Sequence, residues 1–304
     1  GGRFQCNFLW DLIANNCDYL TIKNIDIERV AYTAGCLRIN GGNQYTHLHN
    51  CRFYNTNTAS ANYTAVYVDE GTTITDCEII NDANSSSIAS GAVRIQSTDN
   101  LVISGCTIRA KYGLGAKPFN NRGLSVDNCI FYSAPNRTME YGIYLDADSG
   151  GPTVTCSILN NTFYGCGTSA IELVDMTNAG DEASILIRGN LCYGDGSSNG
   201  IKNADTSDTV GIVAINNAFG NMTDSSAGVT GWGTNVTDIG SVQLTGDPFV
   251  DASNGDFRLN GTSGAGASCR SAATPTTYPG LTFTNKRDIG AVQHSGLVER
   301  ISVN

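Results

Sequence analysis

The chain has 304 residues, about 40% of them apolar, and a formal net charge of −10. Its acidity argues against nucleic acid and anionic membrane surfaces as partners. No apolar run approaches the length of a membrane span, so no membrane-crossing segment is expected.

In chain order, the segment up to residue 43 supplies a first coil, marked by Ile22, Asn24 and Ile27. The full motif then stands as Thr46-His47-Leu48-His49-Asn50-Cys51-Arg52-Phe53. It returns as Thr72-Thr73-Ile74-Thr75-Asp76-Cys77-Glu78-Ile79, as Leu101 to Ile108 around Cys106, and as Leu124 to Phe131 around Cys129. Later copies at Ile158 to Phe163, Ile187 to Cys192 and Ala214 to Phe219 lack the central cysteine. The interval between copies runs from 23 to 32 residues, the length of one solenoid coil.

Counted from the cysteine, the positions three before and two after it are apolar in all eight copies. The position just before it holds only Asn, Asp or Gly: Asn24, Asn50, Asp76, Gly105, Asn128, Asn160, Gly189 and Asn216. These residues tolerate a left-handed backbone and can bend a strand sharply. A second short strand follows in each coil, patterned small, apolar, variable, apolar, as in Ala65-Val66-Tyr67-Val68 and Gly142-Ile143-Tyr144-Leu145. Its period of two suits a strand with one buried face. Bent strands at this interval, with no helices between them, predict an all-β parallel β-helix of about eight or more coils, about 40 Å long at ~4.8 Å per coil. These coils resemble the right-handed parallel β-helix repeats of the pectate-lyase-like superfamily, over about residues 4–220. That resemblance speaks to fold and not to activity.

Cys51, Cys77, Cys106 and Cys129 share one coil position and are expected to stack inside the rod as small hydrophobes. Disulfides among stacked neighbours, or between Cys156 and Cys166, are the alternative. Zinc is not expected, because the chain has no CxxC pair and three histidines. In later coils Asn161, Asn190 and Asn217 take the same place, where inward carboxamides can bond along the rod. The insertions at 54–63, 80–90 and 132–141 are expected as loops on one side, with 175–184 on another edge.

Coils are expected over residues 1–220, an irregular last coil and connection over 221–245, and a C-terminal cap and tail over 246–304. The last section carries Asp247-Pro248-Phe249-Val250-Asp251, Gly255-Asp256-Phe257-Arg258-Leu259 and Arg287-Asp288-Ile289-Gly290-Ala291. It resembles the C-terminal segment of secreted bacterial and bacteriophage β-helix proteins, choice-of-anchor proteins among them. It departs from them at Thr262 to Ala267, where they carry Ser-Pro-Ala-Ile-Asp. Phe249, Phe257, Leu259 and Ile289 are expected to cover the apolar end of the final coil. The alternation from Gly296 to Val303 suits a strand added to a neighbouring subunit. Because the first coil begins almost at Gly1, a cap or anchor is expected ahead of it.

Chemistry is expected on the outward position of the second strand, which gives Arg38, Tyr67, Arg94, Tyr144, Glu172 and Lys202. Asp69, Asp146 and Asp175 lie beside them. Aromatic planes, carboxylates and guanidinium groups along a shallow face suit sugars, and Arg38, Tyr67, Asp69, Arg94, Tyr144 and Asp175 are the candidate binding residues. The best carboxylate pair for glycoside cleavage is Asp146 with Glu172, on adjacent coils. No cofactor is expected; calcium would suit a lyase of the pectate type, but no motif indicates it. Three roles remain open. One is a structural or adhesive surface rod that binds extracellular glycans or virion and surface proteins, foremost a bacteriophage appendage or capsid decoration. The others are a secreted polysaccharide lyase or hydrolase, and a self-associating filament subunit. All three place the protein outside the cell.

Overall fold

The computed structural model describes residues 2–6, 12–14, 19–29, 35–39, 45–55, 64–68, 71–82, 91–95, 100–116, 122–133, 137–146, 155–174, 184–204, 211–223, 229–230, 236–270, 272 and 288–292. The chain winds as a right-handed parallel β-helix whose coil has three strand faces. The first sheet stacks nine strands in parallel, from Thr21–Lys23 through His47–His49 and Thr73–Thr75 to Val236–Ile239. The second follows the bend, with Ile25–Arg29, Arg52–Asn55 and Glu78–Asn81 in its upper part and Val242–Leu244 at its lower edge. The third is the second-strand row, including Leu37–Ile39, Val66–Val68, Val93–Ile95, Tyr112–Ala116 and Met139–Asp146. Sheets two and three join because one strand, Thr162–Val174, runs unbroken through both.

The bend between sheets one and two is local backbone chemistry. Asn24, Asn50, Asp76, Gly105, Asn128, Asn160, Gly189 and Asn216 all take positive φ, between 49° and 67°. Each is a residue type for which the left-handed region is accessible. Where glycine stands, the neighbouring coil explains it: a Cβ on Gly105 would meet Oδ1 of Asp76 at 2.5 Å, and one on Gly189 would meet Oδ1 of Asn160 at 2.6 Å. Gly240, at φ 71°, adds a ninth bend, so residues 221–245 still contribute strands to the stack. At the other end, Gly2–Cys6 pairs with Ile25–Arg29 and Leu12–Ala14 with Leu37–Ile39. Residues up to 43 therefore hold parts of two coils where one was expected.

The core is a set of columns. Phe53, Phe131, Phe163 and Phe219 are fully buried, and the Phe131 and Phe163 rings stack 4.9 Å apart. Cys51, Cys77, Cys106 and Cys129 are buried beside them. Cys51, Cys77, Cys106, Cys129, Cys156 and Cys166 are all buried free thiols, so neither disulfide alternative forms. Each thiol of the column donates to a carbonyl of the coil above: Cys77 to Leu48 at 3.7 Å, Cys106 to Ile74 at 3.6 Å and Cys129 to Ile103 at 3.7 Å. Asn161, Asn190 and Asn217 make the same bond, to Val126, Ile158 and Ile187, at 3.0, 2.9 and 3.1 Å. Each carboxamide oxygen also accepts from the coil before it.

The C-terminal segment packs elsewhere than expected. Phe249–Asp251 and Asp256–Leu259 form an antiparallel pair, followed by the short helix Gly266–Cys269. Phe249, Phe257, Leu259 and Ile289 bury against Ile130, Tyr132, Tyr164, Leu191 and Tyr193, outward residues of sheet two. The segment thus lies along the flank of the lower coils, where end-capping was anticipated. Gly290 N donates to Gly189 O at 2.8 Å and Ala291 N to Thr162 Oγ1 at 2.9 Å, which fixes its far end to the same flank. The outer face of sheet two accounts for this. Its upper coils read Asp26, Arg52 and Glu78 in register, and its lower coils Ile130, Thr162, Leu191, Ala218 and Val242. The apolar half needs a cover, and the hydrophobic effect supplies the drive.

Candidate functional site

Strand pairing lines up the expected outward row on sheet three. Arg38 pairs with Tyr67, Tyr67 with Arg94, Tyr144 with Glu172 and Glu172 with Lys202. One coil falls between Arg94 and Tyr144, and it places Gly115 in the row. Glycine leaves no outward side chain there, which divides the row into two clusters of different character.

The upper cluster is cationic and aromatic. Cζ of Arg38 lies 4.8 Å from the centre of the Tyr67 ring and Cζ of Arg94 lies 5.6 Å from it, so two guanidinium groups flank one ring. Each such contact contributes about 0.5–1 kcal/mol at a solvent-accessible site and holds the planar groups in register. Arg38 is exposed, while Tyr67 and Arg94 are half-buried.

The lower cluster is acidic and enclosed. Asp146 and Glu172 are each 5% exposed and Tyr144 is 9% exposed, whereas the row was expected to lie open to solvent. The Tyr144 hydroxyl donates to Oδ2 of Asp146 at 3.2 Å. Ser169 Oγ donates to Oε2 of Glu172 at 2.9 Å, and Nζ of Lys202 pairs with Oε1 of Glu172 at 3.0 Å. Asp146 stands two residues along its strand from Tyr144, the partner of Glu172. That diagonal corresponds to roughly 8 Å between Cα atoms. The two residues therefore stand on adjacent strands, one diagonal step apart. Asp69 and Asp175 lie outside the described residues.

Five more residues belong to this cluster. Tyr141 meets Tyr144 edge-on at 5.2 Å and stacks on Tyr112 at 5.9 Å. Glu140 accepts from Thr168 Oγ1 at 2.9 Å, and Lys111 Nζ lies 3.7 Å from its other oxygen. Burial pushes the Tyr112, Tyr141 and Tyr144 hydroxyls above the usual phenol range, and nearby carboxylates add to the effect. They stay protonated at ordinary pH and serve as donors. The signal that could have found them is the register of Tyr112 with Tyr141 and of Tyr141 with Ser169. It was hidden because Tyr112–Ala116, with Gly113 and Gly115, does not read as a second strand.

A pocket lined by Asp26, Glu28, Arg52 and Tyr54 lies on sheet two, apart from the row. Arg52 is committed there, 2.6 Å from Oε2 of Glu78 and 2.6 Å from the Tyr54 hydroxyl. Among the described residues, no group of three or more His, Cys, Asp or Glu side chains is arranged to hold a metal ion. No helix among them is long and apolar enough to cross a membrane.

Comparison with curated proteins finds no match. The family model of the right-handed β-helix region matches residues 35–219, more than half of the chain and the middle of the stack built above, and the protein belongs to that family.

Proposed function

We propose that this protein is a structural, adhesive β-helix that holds an extracellular polysaccharide along the outer row of sheet three. The observation that carries the reading is the stack of Arg38, Tyr67 and Arg94. A rod that presents one outward side chain per coil suits a linear polymer lying along it. The Tyr67 ring offers an apolar plane to a sugar, and the guanidinium groups match carboxylates in bidentate fashion, so an acidic polysaccharide fits best. In its narrower form the protein is a bacteriophage appendage or capsid decoration at the virion surface. The support for that form is the resemblance carried by the segment from Asp247 to Leu259 and the Arg287-Asp288-Ile289-Gly290-Ala291 block. The tail from Gly296 to Val303 lies outside the described residues.

The test is affinity electrophoresis through gels containing polygalacturonate or alginate. Tyr67→Ala and Arg94→Ala are each expected to weaken retardation at least tenfold. Migration unchanged by both substitutions would sink the row as the binding surface.

A second reading, a polysaccharide hydrolase or lyase, is favoured by the enclosed pair of Asp146 and Glu172. It requires release of reducing or unsaturated ends from those polymers, abolished by Asp146→Asn or Glu172→Gln.

A further inference from the structure

A second column of bends runs where the chain enters sheet one, and two of its members are unexpected. Tyr19 and Tyr45 sit in the left-handed region, at φ 61° and 62°. That conformation crowds the Cβ of a bulky residue. In the following coils the same place is held by Gly71, Asn100 and Gly123, at φ 61°, 56° and 105°. Hydrogen bonds beside the column set the register: His47 N to Leu20 O at 2.8 Å, Thr73 N to Thr46 O at 2.8 Å, and Val102 N to Thr72 O at 3.1 Å. The bend therefore does not call for tyrosine, and glycine or asparagine makes it with less strain.

Burial does not compensate the two rings. Tyr19 is 75% exposed and Tyr45 62% exposed. They stack on each other with centroids 5.1 Å apart and planes 11° from parallel. Strain held at a solvent-facing aromatic pair points to use rather than to packing.

We infer that Tyr19 and Tyr45 form an aromatic platform that stacks on a pyranose ring of a glycan. The stack runs along the rod, one ring per coil, so the second face of Tyr45 looks toward the coil of Gly71, which contributes no side chain to the column. From Tyr45 to Asn100 is two coil rises, about 9.6 Å, which leaves one gap in the column for a single sugar ring. The carbon face of the sugar packs on the phenol ring, and hydroxyls at its rim need donors and acceptors. The outward residues of the adjoining strands supply them: Thr21 and Lys23 on one, His47 and His49 on the next. The two imidazoles are held in place by the Thr75 hydroxyl, 3.0 Å from Nε2 of His47 and 3.0 Å from Nδ1 of His49. The inference shares the saccharide chemistry of the proposed function and uses none of its residues.

Two measurements on the whole chain test it: thermal unfolding, and affinity electrophoresis through dextran, xylan or polygalacturonate. The variants are Tyr19→Asn/Tyr45→Asn and, for the row, Tyr67→Ala/Arg94→Ala. The asparagine pair is expected to keep or raise the unfolding midpoint, as Asn100 accepts this backbone, and to weaken retardation at least tenfold in one of the gels. Loss in both variants supports both surfaces. Loss in the row variant alone leaves the row standing and overturns the platform, and loss in the asparagine pair alone does the reverse. A fall of the unfolding midpoint in the asparagine pair overturns the platform, because the tyrosines then serve the bend. Wild-type protein unretarded in all three gels overturns both surfaces.

Discussion

The backbone nitrogen of Cys129 donates to Oδ1 of Asn161 at 2.9 Å, at the coil where the inward column changes from thiol to carboxamide. Above that point Cys51 N meets Sγ of Cys77 at 3.4 Å in the same manner. Thiol and carboxamide are thus alternative occupants of one slot, each donating to a carbonyl of the coil above and accepting an amide from the same coil. The carboxamide makes the shorter bonds.

That equivalence predicts a ranking at Asn190. Asn190→Ala removes the acceptor for Asn161 N and for Asn161 Nδ2, and the donor to Ile158 O. Each buried group left unpaired costs about 1–3 kcal/mol, so a loss of several kcal/mol is expected. Asn190→Cys is expected to retain more stability than Asn190→Ala, because cysteine already fills the slot at Cys129. Thermal or denaturant unfolding of the two variants checks the order, and equal losses would refute the equivalence.

The buried thiols predict a stability limit at high pH. Burial raises the thiols of Cys156 and Cys269 from 9.0 to about 12. Interaction with the neighbouring Cys106 thiol, together with burial, raises Cys77 to about 12. The unfolded chain ionises first, so the neutral thiols stabilise the fold fully below pH ~9, and that contribution fades as pH rises toward ~12. Unfolding midpoints measured from pH 7 to 11 should fall progressively above pH 9. In a variant with Cys6 and Cys17 replaced by serine, aromatic disulfide reagent at pH 8 should modify thiols only after denaturation.

The C-terminal segment should detach without melting the coils. Phe257 meets Tyr132 at 5.3 Å, Tyr164 at 6.0 Å and Phe249 at 5.5 Å, all edge-on. These contacts form a cluster separate from the interior of the rod. Phe257→Ala is expected to remove about 3 kcal/mol from the docking of the segment. Hydrogen exchange should show loss of protection in residues 247–270 while the strands of sheet one stay protected. Uniform loss across the chain would contradict a separate unit.

Lys202→Met should be costly for its location. It leaves Oε1 of the enclosed Glu172 without its cation, with Ser169 as the remaining partner identified above. Because Lys202 itself is partly exposed, a loss of about 1–2 kcal/mol is expected, below the range for a fully buried pair. Glu172→Gln combined with Lys202→Met should recover much of it. Denaturant unfolding of the single and double variants measures the coupling.

How much was readable followed from how local the cause is. Asn50 and Asp76 betray their bends because only a few residue types accept positive φ at no great cost. Ile74, Ile103 and Val126 betray their inward faces because strand alternation is a property of two neighbouring residues. The order of Arg38, Tyr67 and Arg94 along the row followed from those two rules together. Gly115 went unseen because a residue without a side chain carries no sign of the direction in which it faces.

Pairing of Glu172 with Lys202, and docking of Phe249 and Phe257 on the flank, depended on partners far along the chain. Ala291 and Thr162, joined by a hydrogen bond, are 129 residues apart in sequence. Coil, bend and register are thus written in each repeat, because backbone preference and alternation act over two or three residues. Which outward face is covered and which stays open is set only when the wound rod brings Ile130, Tyr164 and Leu191 side by side into one apolar surface that water disfavours.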